Sequence, residues 1–176
     1  LFLNNRNIKI IGTYYKNKIN SKQKNLIVKK IDISKDINLI YDIIIKFNPL
    51  IIYYFPTPKI QINLKDKNLI KLYRNYYINY PIRIIKFASK FDINFFYPST
   101  TFIDNNYSSS YAYTKLSAEK KLLKLNKQKN NINIVRIEEI NTKQNLSLLK
   151  RNLKNFRDII MENKTIFNKI FFKKIK

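Results

Sequence analysis

The chain has 176 residues, 45% hydrophobic and 14% aromatic, which suits about one domain with a real core. Its 35 Lys and Arg against 11 Asp and Glu give a formal charge of +24, as suits an anionic substrate or a polyanionic partner. Cysteine and histidine are absent, which excludes disulfides, thiolate metal sites, Ser-His-Asp triads and His-ligated zinc.

Taken in order, "IKIIGTYY" (Ile8 to Tyr15) and "NLIVKKIDI" (Asn25 to Ile33) read as strands. "SKDINLIYDIIIKFN" has apolar residues at helical spacing, with Ser34 as the expected N-cap, Asp36 in the first turn and Pro49 marking the end. "LIIYYF" (Leu50 to Phe55) is a continuous apolar run, the pattern of a strand covered on both faces. A helical stretch follows from about Lys65 to Phe91, with a break expected at Pro81. "DINFFYP" is the next strand, "STTFIDNNYSSS" a polar loop, "YAYTKLSAEKKLLKLNKQ" a helix and "NINIVRI" a last strand. One α/β domain over residues 1–145 and a helical tail over 146–176 are expected.

Alternation of strand and helix predicts an α/β fold, a Rossmann-like parallel sheet with helices on both faces. Ligands of such sheets bind beyond the carboxyl ends of the strands. Three stretches fall there: Pro56 to Pro58, Ser99 to Thr101, and Glu138 to Asn141. Every apolar run is broken by Asp, Lys, Asn or Pro well short of about 18–20 residues, so no membrane-spanning helix is expected.

Composition leans towards Ile, Asn, Lys, Tyr and Phe, residues with A/T-rich codons, and Gly appears once. The lysines are scattered, with no sustained basic block. The chain opens on Leu1, without a charged-then-apolar leader pattern, which fits a fragment, a processed product or an unusual start codon.

"SSSYAYTK" places Tyr111 and Lys115 four residues apart at the head of a helix, where i and i+4 share a side. There an ammonium would lower the phenol from about 10, making it a proton donor and acceptor near neutral pH. Chance alone yields roughly two Tyr-x-x-x-Lys matches in so Tyr- and Lys-rich a chain. The other match, Tyr14 and Lys18, falls where a strand leaves for a polar loop.

"INFFYPSTTFI" followed by "SSSYAYTKLSAEKKLL" resembles the extended short-chain dehydrogenase/reductase superfamily, the NAD-dependent epimerase/dehydratase group. The resemblance covers roughly Ile8 to Asn141. It implies Tyr111 and Lys115 as the catalytic pair and Thr100, or Ser99, as the hydroxyl that binds the reacting oxygen. Glu119 matches the family's acidic residue after the pair. "KKIDIS" resembles the third strand, implying Asp32 and Ile33 near the adenine of NAD or NADP. "FNPLIIYYFPTP" resembles the fourth, implying Phe55 and Pro56 against the cofactor, with Lys115 on its ribose. "INIVRIEE" resembles the strand that ends in Arg, here Arg136.

The family's first strand and Gly-rich phosphate turn have no counterpart, since the one glycine, Gly12, falls in the second-strand match. The resemblance therefore implies an N-terminally truncated domain in which NAD(P) binding is weakened. It implies an oxidoreductase, epimerase or dehydratase acting on a nucleotide-sugar, compatible with a homodimer and with no metal. A cytoplasmic location is expected, or the matrix or stroma of an organelle with an A/T-rich genome. The competing expectation is a catalytically silent subunit of a ribosome or respiratory complex that contacts RNA.

Overall fold

The structure is a computed structural model and describes residues 8–17, 23–61, 65–104, 108–127 and 131–138. Two compact units divide the chain, Leu1–Phe47 and Asn48–Lys176. The helical tail expected from residue 146 lies outside the described residues.

In the first unit, β1 (Ile10–Tyr14) and β2 (Leu26–Lys30) form a parallel pair with Ile10 opposite Leu26 and Tyr14 opposite Lys30. Residues 15–25 connect the two parallel strands, and helix α1 (Ile37–Phe47) follows β2. Helix α1 buries Ile37 and Ile44, seven residues and two turns apart, so one stripe faces inward. The helix starts later than the Ser34 cap predicts. Ser34 instead donates from its backbone N–H (3.0 Å) and its hydroxyl (2.6 Å) back to the Asp32 carboxylate, closing a turn before α1. Helix α1 stops where Asn48 takes a left-handed φ of 38°, directly before Pro49.

The second unit is built on a three-stranded parallel sheet in the order β3 (Ile51–Tyr53), β4 (Asn94–Thr100), β5 (Ile132–Ile137). Strand β4 is central. Phe95, Phe96 and Tyr97 are almost wholly buried there, and burying each such side chain is worth about 1.5–3 kcal/mol. Ser99 and Thr100 prove to be the last residues of β4 rather than loop, in register with Arg136 and Ile137 of β5. A short 3₁₀ turn, Thr101–Asp104, leads towards helix α4 (Ser110–Asn126), whose N-cap Ser109 accepts from the Ala112 N–H at 3.1 Å.

The long helical stretch between β3 and β4 is composite: α2 (Lys67–Arg74), a π turn (Asn75–Asn79) and α3 (Tyr80–Ala88). The cause is Pro81, which sits in the first turn of α3 and lacks the N–H that would bond the Tyr77 carbonyl four residues back. The Tyr80 N–H reaches Asn75 instead, five residues back, the bonding of a π turn. Two tyrosine hydroxyls from the sheet then bond to this turn. Tyr54 donates to the Tyr76 carbonyl at 2.6 Å and Tyr97 to the Tyr77 carbonyl at 3.1 Å.

The chain is thus α/β, with parallel sheets flanked by helices, a Rossmann-like fold. No helix among the described residues is long and apolar enough to cross a membrane.

Candidate active site

Where β4 ends, the site begins. Thr100 at the end of β4 and Tyr111 at the head of α4 lie close together, near enough for the Thr100 hydroxyl to lower the Tyr111 phenol. The same hydroxyl accepts from the Phe102 N–H at 3.2 Å, which fixes the turn. Tyr111 is half-buried among rings: Tyr73 and Tyr77 meet it edge-on at 6.1 and 5.6 Å, and Phe102 lies tilted at 6.2 Å. Burial raises the phenol, the nearby Thr100 hydroxyl lowers it, and nearby Tyr73 raises it again, leaving it pushed up to about 12.

This overturns the expectation that Lys115 would lower the phenol. Tyr111 and Lys115 do lie on one helix, but the Lys115 ammonium is directed elsewhere. Its Nζ donates to the Pro98 carbonyl at 2.7 Å and lies 4.4 Å from the Tyr77 ring centroid and 4.7 Å from that of Tyr97. Lys115 is only 6% exposed, so burial lowers it to about 7 despite the carboxylate of Glu119 acting the other way. Near neutral pH it is divided between charged and neutral forms.

Ser99 and Thr100 separate in role. Thr100 meets Tyr111, whereas Ser99 is buried beside Glu119. Its hydroxyl helps keep that carboxylate ionised, although it lacks the geometry of a full hydrogen bond. Burial works against the Glu119 charge, and Arg136 outweighs it with a bidentate pair, Nε to Oε1 at 3.0 Å and Nη2 to Oε2 at 2.8 Å. The third nitrogen, Nη1, reaches Asp104 at 2.7 Å. One guanidinium from β5 therefore ties α4 to the turn that follows Thr100.

At the end of β3, Phe55 is half exposed and stacks on Tyr53 at 6.3 Å with an interplanar angle of 7°. Pro56 is half-buried beside it. Thr57 Oγ1 lies 2.6 Å from the Tyr77 hydroxyl, so a chain of contacts runs from β3 through Tyr77 to Tyr111. Tyr73, Tyr77 and Tyr97 were not singled out by motif. Their only trace was the i, i+4 spacing of Tyr73 and Tyr77, which puts both on one side of a composite helix.

Asp32 and Ile33 lie in the first unit, just after β2. The Asp32 carboxylate is held low chiefly by the Ser34 hydroxyl, and Ile33 is buried. Glu138 is exposed after β5, while Lys18, Glu139 and Asn141 lie outside the described residues. Among the described residues, no group of His, Cys, Asp and Glu is arranged to hold a metal ion.

No protein-family model and no curated sequence matches this chain. Solved structures do. A short chain dehydrogenase family protein from Francisella tularensis subsp. tularensis SCHU S4 superposes with a TM-score of 0.65 at 20% identity, over 95% of this chain and 69% of that one. A short chain dehydrogenase from Salmonella enterica subsp. enterica serovar Typhi str. CT18 gives 0.61 at 13%, over 77% and 66%. A monomeric L-threonine 3-dehydrogenase from a metagenome database gives 0.55 at 20%, over 73% of this chain and 44% of its own length. The chain thus spans less than half of the last structure and about two thirds of the others. At these identities the likeness shows a shared fold, that of the short-chain dehydrogenases.

Proposed function

We propose that this chain carries the proton-transfer part of an NAD(P)-dependent oxidoreductase or epimerase site, acting on the hydroxyl or ketone of a nucleotide-sugar. One observation carries the reading: a half-buried phenol, Tyr111, set beside the hydroxyl of Thr100 at the carboxyl end of the central parallel strand. That is where a parallel sheet presents its ligands.

In this reading Tyr111 is the general acid–base and Thr100 binds the reacting oxygen. A phenol held near 12 is protonated at neutral pH, so as it stands it is suited to donate a proton to a ketone oxygen rather than to accept one. Ser99 acts only through Glu119, as a positioning residue. Lys115 packs between Tyr77 and Tyr97 on the Pro98 carbonyl, and so holds α4 against β4.

The described residues fit a nicotinamide cofactor in part. Phe55 and Pro56, just after β3, are the candidates to meet its nicotinamide, and Lys115 would reach a ribose only by leaving the Pro98 carbonyl. The family resemblance offers Asp32 and Ile33 for an adenosine. No cradle for its diphosphate is present among the described residues, because Gly12 is paired opposite Val28 within the β1–β2 ladder rather than opening a helix. When bound, the nicotinamide would supply or accept the hydride.

Titrating the full chain with NADH and NADPH by fluorescence, then assaying reduction of a keto nucleotide-sugar, tests the reading. Tyr111→Phe is expected to lower the rate about 10²–10⁴-fold. Undiminished turnover in that variant would remove Tyr111 from the mechanism. A catalytically silent role in a larger assembly is the second reading. It is favoured by the Lys115 ammonium lying on Pro98 and by the raised phenol, and it predicts that neither nucleotide binds.

A further inference from the structure

Helix α2 has two unlike sides. The inner one carries Tyr73, which with Tyr77 of the π turn packs on Tyr111. The outer one carries Lys67, Lys71 and Arg74, at i, i+4 and i+7, and continues into Asn75 and Asn79 of the π turn. These five residues and Ile70 line a solvent-open groove of about 420 Å³. Among the described residues that line it there is no carboxylate. From Lys65 to Phe91 the chain has one acidic residue, Asp66, and its carboxylate accepts the Leu69 N–H at 2.7 Å as the α2 N-cap. Lysines that look scattered along the sequence are thus gathered by helical spacing into one row.

We propose that this groove binds the sugar-phosphate backbone of a single-stranded nucleic acid. Along an α-helix Lys67 and Lys71 stand about 6 Å apart and Lys71 and Arg74 about 4.5 Å, close enough to neutralise neighbouring phosphates of one strand. Asn79 donates to the Asn75 side-chain oxygen at 2.8 Å, and the remaining Asn75 amino and Asn79 carbonyl groups can donate to and accept from sugars and base edges. The groove is shallow and open to solvent, and among the described residues that line it Ile70 is the one apolar side chain. An anionic lipid surface would instead call for a broad apolar face beside the cations. Next to the start of α2, Lys65 lies 4.9 Å over the ring of Tyr113, which is 43% exposed and available to a base. None of the residues proposed for catalysis takes part.

The test uses the full chain with a labelled 12-nucleotide oligo-U, the matching oligo-dT and phosphatidylserine vesicles, each over a salt series. The variant is K67Q/K71Q/R74Q. Its control, K86Q/K90Q/K127Q, removes the same charge from exposed positions outside the groove. Circular dichroism confirms folding of both. The groove variant is expected to lose about 100-fold in oligonucleotide affinity and to flatten the salt slope by about 2, as loss of three phosphate contacts on a single strand requires. The control should lose less than about 5-fold at equal salt, as rim charges outside a binding site do. Stronger binding to oligo-U than to oligo-dT would identify RNA as the ligand, and the reverse DNA. Equal loss in the two variants would overturn the proposal in favour of the diffuse charge of the whole chain. Binding to vesicles without binding to either oligonucleotide would overturn it in favour of a lipid surface.

Discussion

The hydroxyl of Tyr97 donates to the backbone carbonyl of Tyr77 at 3.1 Å, the carbonyl that Pro81 leaves without its helical donor. A buried phenol thereby satisfies a defect in a helix, and the two rings it connects also enclose the Lys115 ammonium. Tyr97→Phe is expected to cost about 1–3 kcal/mol, because it leaves a buried acceptor unmade. Pro81→Ala restores the N–H, so in that background Tyr97→Phe should cost less. Urea denaturation of the two single variants and the double variant closes the cycle, and strict additivity would disprove the link.

Arg136 and Glu119 supply the second prediction. Arg136→Met leaves the Glu119 carboxylate largely buried without its bidentate partner, and should cost about 2 kcal/mol near neutral pH. Because Glu119 is held below its ordinary value, its contribution is present at neutral pH and is lost as pH falls through the carboxylate range. The deficit of Arg136→Met should therefore shrink below about pH 4. Asp104→Asn, at an exposed partner, should change stability by less than about 1 kcal/mol. Denaturation midpoints across pH 3 to 7 (roughly the carboxylate range and above) measure all three.

Lys115 gives stability an unusual slope. Its folded value of about 7 lies below the ordinary value of 10.5, so between these the unfolded chain binds more protons than the folded one. Stability should rise with pH across that window, and Lys115→Met should abolish the rise. At higher pH the slope reverses. Tyr53, Tyr54, Tyr77, Tyr97 and Tyr111 are all raised by burial, and their contribution is lost once the unfolded phenols ionise above about 10. Thermal melts from pH 6.5 to 9.5, wild type against Lys115→Met, would show parallel curves if Lys115 were charged throughout.

Tyr111 can be followed without any assay of turnover. Its phenol should titrate near 12, and Thr100→Val should move it higher, since the nearby Thr100 hydroxyl is what lowers it. Carbon-13 labelled tyrosine, observed by NMR with Tyr111→Phe to assign the signal, reports both. A phenol titrating below 10 in the wild type would restore the expectation of a lysine-activated acid.

Most strands and helices were legible as apolar runs and periodicities. "INFFYPST" becomes the central strand β4 because apolar side chains stand on both its faces, while "INIVRI" becomes the edge strand β5, which leaves Arg136 exposed. The start of α1 was misread, since Ser34 has a nearer partner in Asp32 than any helix N–H. Pro81 announced a break, and what the sequence hid was its repair by two tyrosine hydroxyls more than 15 residues away in the chain.

The closeness of Thr100 and Tyr111 was readable from their order, a strand end followed by the head of the next helix. The direction of the Lys115 ammonium was not. Helical spacing places its Cα one turn beyond Tyr111 and says nothing of where a four-carbon stem will lead. That is settled by the Pro98 carbonyl and the rings of Tyr77 and Tyr97, which come from β4 and from a π turn and meet only when the sheet and helices have packed. Residue types and their periods determine which segments become strands and helices. Burial and non-local partners decide which charges those elements carry.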